Sequence, residues 1–162
     1  MTRFCITLTA CCGLALLGAM TPAGEKPKAF QHDPKETKLF ELTNLERKQK
    51  ELPALVLNPG LSKLARAHSE NMARQQKMEH TLDEKSPFDR LRAAGYKFAR
   101  AGENIAFGEP GAKLENIMKS WMESKEHAAN ILLPEFTEIG IGIARDKTGA
   151  LYLTQLFARP RK

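Results

Sequence analysis

Apolar residues recur at three- and four-residue intervals in several stretches of the chain, and at every second position near its end. Leu39, Leu42 and Leu45 form the inner face of a helix that runs to about Lys50. Its start is marked by Asp33 as cap, Pro34 at the first helical position and Glu36 three residues after the cap. Beyond Leu55-Val56-Leu57, the turn Asn58-Pro59-Gly60 leads into a second helix whose buried stripe is Leu61, Leu64, Ala65, His68 and Met72. A histidine on such a stripe reads first as a hydrogen-bonded core group. A short third helix fits Ser86-Pro87-Phe88-Asp89, capped by Ser86 and stopped by a left-handed Gly95. A fourth spans about Ala112 to Ser124, with Leu114, Ile117, Trp121 and Met122 on one face. Core packing is the expected role of Trp121, the single tryptophan.

The period then changes. Ile139, Ile141 and Ile143 alternate with Gly140, Gly142 and Ala144, so one face of this strand is bulky and the other nearly bare. Something must approach the bare face closely. Asp146-Lys147-Thr148-Gly149 is a turn, and Ala150 to Phe157 returns as the second arm of an antiparallel hairpin. The glycine-bracketed segment Gly102 to Gly108 reads as a loop entering a short strand. Several helices with a few antiparallel strands, segregated along the chain, give an α+β layered domain.

The first residues differ from all of this. After the single charge at Arg3, Cys5 to Met20 is apolar and uncharged, and small residues with Thr21 and Pro22 follow. That is a secretory signal, expected to be cleaved after Ala23 or after Ala19. The chain therefore divides into a signal peptide at 1–23, a tether at 24–34 and one domain at 35–160. His32 sits in the polar tether and carries no functional weight. Cys5, Cys11 and Cys12 all lie in the signal segment, so cleavage at either point excludes disulfides and thiol catalysis. In a rival reading Leu8-Thr9-Ala10-Cys11 is a lipoprotein box that leaves Cys11 as a lipid-bearing N-terminus. The location expected is secreted or periplasmic, with no transmembrane helix in the mature chain.

At 162 residues, 42% apolar and 27% charged, the sequence suffices for one compact domain. The formal charge of +6 is spread over both signs, with a basic end at Arg159, Arg161 and Lys162. That balance reads as a solvated surface, although anionic lipids or wall polymers could be drawn to it. No aromatic-and-basic stripe points to nucleic acid.

Three residues could carry chemistry: His80 after the second helix, Glu103 in the Gly-Glu-Asn segment and His127 after the fourth helix. They lie more than twenty residues apart, which excludes two histidines sharing one helix face, so any site must be assembled by folding. Two imidazoles and a carboxylate suit a divalent metal, and equally suit acid and base work near neutral pH. Ser124, three residues before His127, raises the thought of a nucleophile. On a helix such neighbours meet by default, and a helix-end bond is the plainer role.

At these positions the sequence resembles the CAP superfamily, or SCP domain. The resemblance rests on Asn44-Leu45-Glu46-Arg47, Ala65 to Ala73 with His68-Ser69, His80, Arg90 with Ala94-Gly95-Tyr96, Gly102 to Ala106, Trp121 to His127, and Phe136 to Gly142, in family order. It implies an α-β-α sandwich with a central antiparallel sheet and a large cleft holding His80, Glu103, Ser124 and His127. His80 and His127 match the family's two cleft histidines, the candidate ligands for Zn²⁺, and Glu103 matches its Gly-Glu-Asn glutamate. The second glutamate of many eukaryotic members is replaced by Ser124, as in the bacterial branch. Glu123 stands one residue earlier, turned by about 100 degrees on a regular helix. The sequence reads Ser124-Lys125-Glu126-His127 where the branch usually has Ser-Pro-Gly-His, which favours a continued helical turn. Two functions stay open. One is a non-catalytic module, a monomer, whose cleft holds a metal ion, a lipid, an envelope polymer or a protein partner. The other is a metal-assisted or acid/base hydrolase acting on peptides or wall material.

Overall fold

A computed structural model describes residues 30–161. The expected signal peptide and the three cysteines lie outside the described residues. The elements run α1 (Pro34–Gln49), β1 (Val56–Leu57), α2 (Pro59–Gln75), α3 (Pro87–Ala93), β2 (Phe98–Gly108), α4 (Leu114–Glu123), α5 (Lys125–Ile131), β3 (Glu138–Arg145) and β4 (Leu151–Pro160). The caps form as their residues dictate. Asp33 and Ser86 each close a capping box, with Glu36 and with Asp89. Asn58 caps α2, and Gly95 takes a φ of 71° after α3.

The strands form one sheet in the order β1-β3-β4-β2, with helices over both faces. The three long strands are antiparallel, and the two-residue β1 adds a parallel edge beside β3. One face is set by Ile139 and Ile141 with Leu151, Leu153 and Phe157, packed on Leu39 of α1, Trp121 of α4 and Ile131 of α5. On the other face α2 lies against Gly140 and Gly142, and there a built Cβ would come within 2.1 Å of the Leu61 carbonyl carbon and 2.2 Å of that of Ala65. The bare face of β3 is therefore the seat of a helix backbone. This is an α+β fold in three layers, α-β-α.

Three local expectations need correction. Leu45 is 49% exposed, and the buried face of α1 is instead Glu36, Leu39, Thr43 and Arg47. The interior accepts these polar groups because each is bonded: Glu36 to Arg66, Thr43 to the Leu39 carbonyl and Arg47 to four carbonyl oxygens. The Gly-Glu-Asn segment is no loop but the middle of the 11-residue β2. Gly102 is there for clearance, since a Cβ would sit 2.7 Å from Asn130 Oδ1 and 3.0 Å from the Phe136 ring. Finally, α4 ends at Glu123 and a separate α5 carries His127 on its first turns. Of the tether positions, Phe30 to His32 lie against α2, and Asp33 caps α1. His32 Nε2 is 2.9 Å from Ser62 Oγ, and the Arg66 guanidinium lies 4.2 Å from the Phe30 ring.

Candidate functional site

Strand β2 forms the free edge of the sheet, and its alternation sends neighbouring side chains to opposite faces. Glu103 pairs across with Leu156 and takes the α2 face, while Asn104 pairs with Gln155 and takes the face of α1 and α5. The site is built around this edge. The Glu103 side chain is 2% exposed, yet its carboxylate is fully engaged. Oε1 lies 2.9 Å from Nδ1 of His80, and Oε2 accepts a short bond from Arg90 Nη2. Arg90 also donates to the carbonyls of His80 and Lys85, so one α3 guanidinium fixes both the carboxylate and the loop carrying His80. The His80 ring remains 50% exposed. With Nδ1 facing Glu103, its Nε2 is the nitrogen left to meet a ligand.

His127 approaches from the opposite layer. Its carbonyl accepts from Asn104 Nδ2 at 3.1 Å, which ties α5 to β2 next to Glu103. Asn130 adds bonds to the Glu103 carbonyl and to Asn104 Oδ1. Burial, and next the nearby His80, hold the His127 imidazole below its ordinary pKa, so it favours the neutral form. Beside it Met78, Phe107, Ile117 and Trp121 line a depression of about 210 Å³. His80 and Glu103 are thus in contact, and His127 is tied through Asn104 to the strand position next to Glu103.

Ser124 stands at the junction of α4 and α5, half-buried, and its side chain makes no cap bond. The helix-end bond expected of it is supplied by the backbone instead, Ser124 N–H to the Ser120 carbonyl and Ala128 N–H to the Ser124 carbonyl. Glu123 is 67% exposed beside Lys119, so it points away from the site. Among the described residues no group of three metal-binding side chains is arranged around a common point. By donor chemistry the groups here that could hold a divalent ion are the His80 and His127 imidazoles, and Glu103 stands behind His80 as a carboxylate that orients its ring.

The most unusual group is one that the periodicity assigned to the core. His68 is 2% exposed, as its place on the stripe requires, but neither ring nitrogen has a hydrogen-bond partner. Its Nε2 stops 3.8 Å from Glu103 Oε1, and the Glu79 carbonyl faces the ring without reaching bonding geometry. Burial drives its pKa down, against the pull of Glu103. His68 and Arg90 are the residues of this site that spacing alone did not single out. For Arg90 the only sequence signal was its place in a family motif, while His68 had that and its place on the buried stripe of α2.

Residues 40–157 match the Cysteine-rich secretory protein family. The chain belongs to the CAP family. YkwD of Bacillus subtilis, an uncharacterized protein, is 38% identical over 76% of this chain. An extracellular SCP-domain protein of Bacillus anthracis superposes with a TM-score of 0.67 at 29% identity, over 76% of this chain. An outer surface protein of Borrelia burgdorferi shares the fold with a TM-score of 0.72 at 20% identity, over 79% of this chain and 95% of its own. The match spans 47% of YkwD and 40% of the anthracis protein, so the CAP domain is about half or less of those relatives. None of the described helices is long and apolar enough to cross a membrane.

Proposed function

We propose that this chain is an extracytoplasmic CAP-domain binding protein whose cleft holds a divalent ion, Zn²⁺ by donor chemistry, through His80 and His127, without catalysing a reaction. The observation that carries the reading is the Nδ1 contact of His80 with the buried Glu103 carboxylate, at 2.9 Å. A carboxylate behind a histidine fixes its tautomer and raises the basicity of the opposite nitrogen. NaASP2, a protein of the same fold at 15% identity with a TM-score of 0.56, has been crystallised with Zn²⁺. The depression beside His127 would seat an apolar part of a lipid or envelope ligand. The non-catalytic reading is favoured over a hydrolase because Glu103 is held by Arg90 and His80 rather than turned to solvent as a free base, and Ser124 makes no side-chain bond to His127.

Titration of the purified protein with Zn²⁺ after chelator dialysis tests this directly. Binding of one ion is expected, weakened at least about tenfold in His80→Ala and His127→Ala and about 10- to 100-fold in Glu103→Gln. Absence of zinc binding in the wild type, or affinity unchanged in both histidine variants, would remove the metal site.

A further inference from the structure

Five cations gather where β2 begins and β4 ends, and they come from three parts of the chain. Arg92 lies in the last turn of α3, Lys97 just before β2, Arg100 on β2, Arg159 on β4 and Arg161 just beyond it, and all five are exposed. The backbone fixes their proximity. Arg100 and Arg159 are direct cross-strand partners, and Arg161 N–H donates to the Lys97 carbonyl at 3.0 Å. Asp89 pairs with Arg92 at 3.2 Å and Glu135 with Arg100 at 2.8 Å. Among the described residues no carboxylate pairs with Lys97, Arg159 or Arg161. Like charges set opposite one another in a sheet cost stability, and of this cross-strand pair Arg100 has a carboxylate partner while Arg159 has none among the described residues.

The shape is concave. Arg92, Gly95, Tyr96, Lys97, Phe98 and Arg161 line an open groove of about 690 Å³. Phe98 stacks on Phe88 with ring centroids 6.2 Å apart, Phe88 is 41% exposed, and the Arg92 guanidinium lies 5.9 Å from the Phe98 ring. The Tyr96 hydroxyl donates to Glu138 at 2.7 Å, which holds that wall in place. Unpaired cations around a groove select repeated negative charge, and aromatic surface between them selects rings with apolar faces. Sugar rings bearing carboxylate or sulfate groups have both.

We propose that this groove docks an acidic polysaccharide, with Lys97 and Arg161 pairing its anionic groups and Phe98 packing on its sugar rings. A flat anionic membrane fits a concave site poorly, and a protein working outside the cytoplasm, as proposed above, rarely meets nucleic acid. The groove and the cleft lie on two sides of one short helix, since α3 sends Arg90 to Glu103 and Arg92 to the groove. A docked polymer therefore leaves His80 accessible, and the proposal stands independently of any metal there.

The test is titration with a heparin-derived hexasaccharide, read by calorimetry and by amide NMR. A single site is expected, with shift changes confined to residues 92–100 and 157–161 and affinity falling as salt is raised. Lys97→Glu and Arg161→Glu should each weaken binding about tenfold or more at unchanged thermal midpoint, while Lys48→Glu, on the opposite helical layer, should not. Uncharged maltohexaose should fail to bind. Shift changes scattered over the surface, equal loss in Lys48→Glu, comparable binding of maltohexaose, or tighter binding of a thymidine dodecamer or of phosphatidylglycerol vesicles would each overturn the proposal.

Discussion

His68 shows how much of a buried residue's chemistry a single stripe conceals. The three- and four-residue period places it inside, and it is inside, but whether a ring nitrogen finds a partner depends on β2 and on a loop that the period cannot see. The neutral imidazole left there has a consequence for pH. Its folded pKa lies below the ordinary value of about 6.5, so between the two values the unfolded chain binds the extra proton and stability rises with pH. The contribution is complete above about 6.5 and is lost as pH falls from there to the lowered folded value. His127 and His32, also lowered by burial, add the same sign. Thermal midpoints should therefore drop as pH is lowered from neutrality to below the ordinary histidine range, and His68→Phe should flatten that slope; parallel slopes in the two proteins would refute the assignment. Trp121 is the simpler case. It is 2% exposed and its Nε1–H donates to the Ile105 carbonyl at 3.1 Å. Trp121→Ala should cost about 3 to 5 kcal/mol in urea unfolding, and near-native stability would show that the side chain is dispensable to the core.

At the level of elements, patterns confined to one strand or helix were legible and those set by a neighbour were not. The Ile/Gly alternation of β3 announced both the strand and a close-lying partner, because only a backbone-to-backbone approach makes two glycines on one face useful. Gly142→Ala would drive a methyl to 2.2 Å from the Ala65 carbonyl carbon, where neither backbone can yield cheaply. A loss of about 1 to 3 kcal/mol or more is expected by urea denaturation, and a variant as stable as the wild type would show that α2 can lift from the strand at little cost. In β2 the same residue type misled: Gly102 and Gly108 look like strand breakers, yet Gly102 provides clearance for Asn130 and Phe136 in mid-strand. The break between α4 and α5 was half legible. Without Pro and Gly before His127 the chain does resume a helix, although the stop at Ser124 comes from its extended backbone rather than from a side-chain bond.

For the whole molecule, the layered architecture followed from the order and period of the elements, and the family motifs supplied which residues meet. His80 and Glu103 could be named as a pair only through that resemblance, because they join a loop to an edge strand across 23 residues. Arg47 could not be anticipated from composition at all. It is fully buried, and its guanidinium donates to the carbonyls of Pro53, Ile131, Leu133 and Phe136 at 2.9, 2.8, 3.0 and 3.4 Å. One side chain thereby fastens α1 to the connection between α5 and β3. Arg47→Met should cost more than about 3 kcal/mol, since it strands buried acceptors, and should loosen α5 in hydrogen exchange; an unchanged midpoint would contradict it.

The near-contact of α2 with β3 also determines how the cleft can breathe. A helix whose backbone rests on two glycines can neither slide along the strand nor rise from it without opening a void, so the wall that carries His68 is a fixed jaw. Any widening to admit a bulky ligand then falls to α5 and to the loop holding Met78 and His80. Adaptation to ligands of different size should accordingly be written in those two segments, while the α2 amides stay among the slowest to exchange.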